Sequence, residues 1–312
     1  MKPLLCIAGP TASGKSALAL SLAQKLGGEI VSCDSMQLFR ECDLVTAKPS
    51  LEEQRLVPHH LLDILNPSEH PSAANWALRA DAAIRDIEAR GKTPIVCGGT
   101  GFYLRALLEP QTLAVAAPDT DLRAELQRAC ELVGAQKMHE RLAQLDPEVG
   151  ARLHPNDVHR VLRALEVQLS PPAPNPVSWR EREAQMFCLD WPRELLVERI
   201  NGRIQAMIQA GALDETRALI QKWGEDAPAL GGVGYKQLRL FLRGECDWTC
   251  AVELWQTATR QYAKRQGTWF RGQTQATWLD ATRTQEELVE EVINTEEFSA
   301  TDEHRKHGNP SR

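Results

Sequence analysis

No stretch of this chain approaches the ~20 consecutive apolar residues that a membrane-spanning helix requires. The apolar run near its start, "LLCIA", gives way to a glycine loop before reaching the length of a secretion signal, and no cleavage site follows. These two absences predict a cytoplasmic protein without membrane association. Positive charge is not in excess either. Lys and Arg number 36 against 42 Asp and Glu, a formal net charge of -6. That balance excludes a surface coated in basic charge for unspecific nucleic-acid binding, although a local basic groove remains compatible with it. Cys246 and Cys250 have no second Cys or His pair at finger spacing. All eight cysteines are therefore expected to be reduced and free of metal, with Cys6, Cys33, Cys97 and Cys188 serving as small hydrophobes in strand-like runs. No internal repeat is found.

What is present is an ordinary globular composition, 43% hydrophobic and 25% charged over 312 residues, enough for one large domain and a smaller one. Strand-like runs fall at 4–8, 29–33, 94–97, 186–190 and 276–280, and helical patterns at 15–26 and 73–91 lie between the first of them. Strands alternating with helices predict an α/β protein, a P-loop NTPase-like parallel sheet flanked by helices. From Pro118 to about Glu166 the pattern is helical, with Asp119 and Asp157 as candidate N-caps, until "SPPAPNP" (170–176) breaks it. Because a strand follows, this block reads as a mainly helical inserted domain, 113–184, within a core of 1–112 and 185–298. The tail 299–312, nearly devoid of apolar residues, is expected to be disordered.

The chemistry begins at "GPTASGKS", residues Gly9, Pro10, Thr11, Ala12, Ser13, Gly14, Lys15 and Ser16, between the first strand and the first helix. A glycine loop in that setting turns backbone N–H groups and a helix N-terminus toward phosphates. Lys15 is placed to neutralise the terminal phosphate, and Ser16 to ligate magnesium. A hydrolytic enzyme of this fold then needs a strand ending in Asp or Glu. The candidate strand "PIVC" ends instead in "GGTGFYLRAL", whose glycines permit close approach of another group. The available carboxylate is Asp34, 19 positions after Lys15 at the end of the second strand, where parallel sheets face their ligands.

In order along the chain stand "GPTASGKS", "DSMQLF", "TAKP", "PHHLLDI", "GGTGFYLRAL", "HPNDVHRVLRALEV", "GVGYKQ" and "KRQGTWFR". Together, over about residues 4–271, they resemble the bacterial form of the tRNA dimethylallyltransferases, also called tRNA isopentenyltransferases. The resemblance implies transfer of a dimethylallyl group from dimethylallyl diphosphate to the exocyclic N6 amine of the adenosine 3′-adjacent to the tRNA anticodon. It implies Asp34 as general base, Thr100 near the reacting amine, and Lys15 and Arg217 on the departing diphosphate, with magnesium. Taken alone, Arg217 reads as a solvated helix charge.

The same resemblance implies that the anticodon stem-loop meets four segments: Asp34, Ser35, Met36 and Gln37; His159, Arg160, Val161, Leu162 and Arg163; Gly232, Val233, Gly234, Tyr235 and Lys236; and Lys264, Arg265, Gln266, Gly267, Thr268, Trp269, Phe270 and Arg271. Thr100 and Arg123 complete that set. The mixture of cations and aromatics in the last segment also suits single-stranded RNA, while Trp269 and Phe270 read equally well as core residues of a helix end. His59 and His60 are expected to be structural. Phe39 and Val45 depart from the family's usual Tyr and Gly. A monomer is expected. The rival readings are a P-loop small-molecule or nucleotide kinase, and an RNA-binding protein without catalysis.

Overall fold

The structure, a computed structural model, describes residues 3–110, 120–170 and 181–295. Candidate cap Asp119, the Pro-rich break after Ser170 and the tail from Ser299 lie outside the described residues.

Strand β1 (Leu4–Ala8) is buried along its whole length and runs into the glycine loop that opens α1 (Lys15–Leu26). Helix α1 buries Leu18, Ala19, Leu22 and Ala23, a one-sided stripe, and stops where Gly27 adopts the left-handed conformation. Then follow β2 (Glu29–Ser32), α2 (Leu51–Leu56), the two-residue β3 (His59–His60) and α3 (Ala73–Ala89). A Ser50–Glu53 capping box opens α2, and Ser72 caps α3. Next come β4 (Pro94–Gly98) and α4 (Gly101–Leu108).

The helical block contains α5 (Thr120–Val133), α6 (Ala135–Leu145), α7 (Pro147–Arg152) and α8 (Val158–Leu169). Asp157 stands at the N-cap position of α8, as expected, but its side chain makes no cap bond; Asp146 caps α7, accepting from the Val149 amide at 3.0 Å. The chain returns through β5 (Ala184–Asp190), α9 (Arg193–Gln209), α10 (Ala212–Trp223), α11 (Tyr235–Leu242), α12 (Trp248–Gln273), β6 (Thr277–Asp280) and α13 (Gln285–Ile293).

The six strands form one sheet in the order β3-β2-β4-β1-β5-β6, every neighbouring pair parallel. The last strand therefore exists and pairs with β5, as its pattern predicts. The two-residue β3 was not legible because it is too short to carry an alternation. One core cluster joins the sheet to α1 and α13, through Leu22, Ile95, Phe187 and Val292 among others. A second gathers α9 to α12 around Ile200, Leu219, Tyr235 and Trp255. Trp76 of α3 stacks on Tyr103 of α4 at 5.1 Å and donates to the Ser32 carbonyl at 3.0 Å, fastening both helices to β2.

The chain divides into two compact units, one of 1–109 with 180–312 and one of 110–179. The second has its own core of Leu126, Met138, Leu142, Val161, Leu162 and Leu165. None of the described helices is long and apolar enough to cross a membrane.

Candidate active site

Parallel pairing delivers the ends of β1, β2, β4 and β5 to one edge of the sheet, and the predicted loop lies there. Gly9 and Gly14 take φ of 130° and 98°, and Ala12 is held at 62°, a conformation that costs a residue bearing a Cβ. The loop is gripped from outside. Trp191 donates to the Ser13 carbonyl at 2.8 Å, Arg199 Nε to the Ala12 carbonyl at 2.9 Å, and Arg203 to the Thr11 hydroxyl at 3.3 Å. Arg199 also lies 4.3 Å from the centre of the Trp191 ring. Carbonyls turned outward in this way leave the loop organised before any ligand arrives.

Lys15 is buried and, among the described residues, donates only to the Pro10 carbonyl, at 3.2 Å. Burial pulls its pKa below the ordinary lysine value, with Arg203 acting in the same direction and Asp34 against it. Burial likewise lowers the pKa of Arg203. Among the described residues, none of Lys15, Arg199 and Arg203 forms an ion pair. The nearby Ser13 hydroxyl is buried without a hydrogen-bond partner. Three cations and an unused hydroxyl around one loop are the complement of an anion.

Asp34 follows β2 and accepts from the Met36 amide at 2.9 Å. Its neighbourhood is zipped to the end of β4: the Cys33 amide donates to Cys97 O at 2.7 Å, the Thr100 amide to Cys33 O at 3.1 Å, and the Ser35 amide to the Thr100 hydroxyl at 3.0 Å. Gly98 is required here, because a Cβ would stand 2.0 Å from the Cys33 carbonyl oxygen. Asp34 and Thr100 are thus brought together, and Tyr262 of α12 lies beside Thr100. Burial, reinforced by Asp34, raises the Tyr262 pKa, so this phenol stays protonated.

Two cavities open beside this edge. One, of about 520 Å³, is mostly polar and reaches from Gly14, Lys15 and Ser16 to Lys48 and His59. The other, of about 260 Å³, is mostly apolar, walled by Met36, Val45, Ile204, Met207, Val233 and Trp255. Thr11, Ala12, Asp34, Thr46 and Arg203 line both, so the carboxylate stands where a cationic compartment meets an apolar one.

The segment 43–49 that separates them is tied on both sides. Glu215 accepts from the amides of Asp43, Leu44 and Val45 at 2.9, 2.7 and 3.1 Å and from the Tyr235 hydroxyl at 2.7 Å. Gln37 donates to the carbonyls of Thr46 and Ala47 and pairs with the Ser32 hydroxyl. Lys48, its side chain 3% exposed, binds Asp43 and Asp63 at 2.6 Å each.

The expected residues are not all at this site. Ser35, Met36, Gly232 and Val233 line the apolar cavity. Gln37, Tyr235, Gln266 and Phe270 are buried, with the polar atoms of the first three already bonded to protein, so those side chains do not present themselves to RNA. Gly234, at φ 99°, packs against Val45 and Trp255. Lys236, Lys264, Arg265 and Thr268 are exposed, Gly267 and Trp269 half-buried. Arg271 stacks on Trp278 at 3.8 Å and pairs with Asp190 at 2.7 Å. Arg217 lies exposed on α10, paired with Asp214 at 2.6 Å, and lines neither cavity.

In the second unit, Val161 and Leu162 are core residues. Arg123 and Arg163 pair with the buried Glu166, while His159 and Arg160 are exposed. Sequence reasoning missed Arg199 and Arg203. Their signal was an Arg-x-x-x-Arg spacing, one helix face, directly after a strand that neighbours β1.

Fold and site together define a P-loop α/β protein. Residues 37–273 match the family described as IPP transferase. The chain is 46% identical over 284 residues to a tRNA dimethylallyltransferase of Anaeromyxobacter dehalogenans, covering 88% of this chain and 94% of that one. It is also 46% identical over 284 residues to one of Halorhodospira halophila, covering 87% and 91%. Among solved structures it resembles the tRNA isopentenylpyrophosphate transferase of Bacillus halodurans, with a TM-score of 0.73, 34% identity and coverage of 98% and 100%. It also resembles a eukaryotic dimethylallyltransferase acting on tRNA, with a TM-score of 0.76, 26% identity and coverage of 100% and 81%. The chain belongs to the IPP transferase family.

Proposed function

We propose that this protein is a tRNA prenyltransferase that moves the dimethylallyl group of dimethylallyl diphosphate to the N6 amine of the adenosine 3′-adjacent to the anticodon. The observation that carries this reading is the position of Asp34, where a cation-lined phosphate cavity meets an apolar one. A kinase of this fold does not need that apolar compartment beside its phosphate cavity, and an RNA-binding protein without catalysis does not need a carboxylate lining both.

The polar cavity takes the diphosphate, and the apolar one the carbon framework. Adenine reaches Asp34 only when flipped out of its stack. The N6–C1 bond forms as the C1–O bond breaks; the bonding pair leaves on diphosphate, and the amine proton passes to Asp34, which acts as general base. Thr100 holds the turn that carries Asp34 through the Ser35 amide. Lys15, Arg199 and Arg203 stabilise the departing charge; Arg217 joins them only by releasing Asp214.

Ser16 and Asp34 line the same polar cavity, a donor set that suits magnesium, which takes one or two protein oxygens besides phosphate. When bound, the ion supplies charge neutralisation to the diphosphate. Exposed Lys236, Lys264, Arg265 and Arg160 meet the anticodon stem-loop. The protein works as a monomer in the cytoplasm.

The test is incubation with unmodified tRNA and either labelled dimethylallyl diphosphate or labelled ATP, with and without chelator. Label should reach tRNA only from the prenyl donor and only with magnesium. Phosphoryl transfer from ATP to any acceptor, or no transfer at all, sinks the reading.

A further inference from the structure

Three residues of α12 lie against the glycine segments, and one of them bridges the two. The Gln266 carbonyl oxygen accepts from the Thr11 amide at 2.8 Å, and its amide nitrogen donates to the Gly99 carbonyl at 2.9 Å. The residue is 6% exposed. Glycine stands at 99 for this contact, because a Cβ there would lie 2.2 Å from Gln266 Nε2. Gly101 makes the same allowance for Trp269, whose ring a Cβ would approach to 2.2 Å. Tyr262, one turn earlier, lies beside Thr100 between those glycines, and Phe270 anchors the helix in the core.

We propose that Gln266 is a positioning residue for prenyl transfer, which fixes the distance between the phosphate loop and the β4–α4 turn that carries Thr100. The inference rests on the transfer reading above. Its chemistry is that of a two-ended amide. One end consumes the Thr11 N–H, which would otherwise compete for phosphate, and the other consumes the Gly99 carbonyl. Neither end is free to read a base. Thr11 belongs to the donor side, and Thr100 holds the amide of Ser35 next to Asp34. One side chain therefore sets the separation of donor and acceptor, a distance on which reaction rates depend steeply.

Gln266→Met keeps volume and packing and loses both bonds; Gln266→Glu keeps the acceptor for Thr11 and turns a carboxylate oxygen toward the Gly99 carbonyl. With dimethylallyl diphosphate and tRNA, each variant should lose turnover by about 10-fold to 100-fold, the scale of a misplacement near 1 Å. The KM values should stay within about threefold, because neither substrate touches Gln266. Hydrogen exchange of segments 9–16 and 98–101 should accelerate in both, whether or not the wild-type protein transfers prenyl groups. Gly99→Ala should impair turnover alone and do less added harm in Gln266→Ala, where the space is empty. Unchanged turnover and exchange in Gln266→Met overturn the inference. So does a loss borne by the KM for tRNA, which would make Gln266 an RNA-binding group, or a loss that tracks the unfolded fraction in both variants. A wild-type protein that transfers nothing overturns the transfer reading instead, and exchange alone then judges the clamp.

Discussion

At the scale of single residues, the site sets cations that burial disfavours against one carboxylate. Lys15 is buried and its pKa is lowered chiefly by desolvation, so its charge is lost at lower pH than that of a free lysine. Donor affinity is therefore expected to fall as pH rises into the alkaline range, earlier than an ordinary lysine would dictate. Lys15→Ala should abolish that pH dependence together with most of the transfer, leaving tRNA affinity nearly unchanged. A matching loss of tRNA affinity would make the loop mainly structural. Asp34→Asn should lower turnover by ~10²-fold or more, in the range of a lost general base, with little change in the donor KM. A sharp rise in donor KM that excess magnesium relieves would make Asp34 a metal ligand instead. Arg203→Ala should cost about tenfold or more in kcat/KM for the donor, since it removes charge at the leaving group. Titration of donor binding and steady-state kinetics check all three.

Elements are placed by polar tethers as much as by packing. Glu29, at the opposite end of β2 from Asp34, has a side chain only 2% exposed. It binds Arg90 through both oxygens, Lys92 at 2.9 Å and His60 at 2.7 Å. The Arg90 guanidinium first, then Lys92 and His60, hold its carboxyl well below the usual carboxylate range in spite of burial. A depressed folded-state pKa gives stability that is complete above the ordinary glutamate value of 4.5 and drains away as pH falls below it. Glu29→Gln should cost about 3 kcal/mol at pH 7, as for a broken buried pair. The gap between variant and wild type should narrow on acidification; a constant gap in denaturant melts would rule this out. Among the helices that follow β5, Tyr235→Phe should cost about 1.5 kcal/mol by removing a bond to the charged Glu215. It should also raise the donor KM, because Glu215 holds the segment dividing the two cavities.

For the molecule as a whole, a net charge of -6 does not prevent binding to a polyanion when the cations are gathered locally. RNA binding should weaken steeply with salt. Replacing Arg160, Lys264 and Arg265 by Ala should flatten the slope of log affinity against log salt by about 0.7 for each RNA phosphate no longer neutralised. Arg163 is a poorer choice for that experiment, since it pairs with the buried Glu166 and its removal costs the second unit stability. An unchanged slope would move the RNA face elsewhere.

The sequence by itself determined the alternation of strands and helices, the phosphate loop, Asp34 at a strand end and the helical block. Each of these is written in contiguous residues: a period, a glycine spacing or a run of apolar side chains. It could not assign the inward face of "KRQGTWFR", where Gln266 and Phe270 are buried while Lys264 and Arg265 are exposed. A basic and aromatic composition says nothing about which helix face meets the core. Nor could it choose among arginines. Arg217 and Arg203 look alike in sequence, yet one pairs with Asp214 on the surface and the other bonds Thr11. Partners 192 positions apart, as in that last bond, are brought together only when β5 docks beside β1. Local pattern fixes what each segment can become, and long-range packing decides which side chains a site receives.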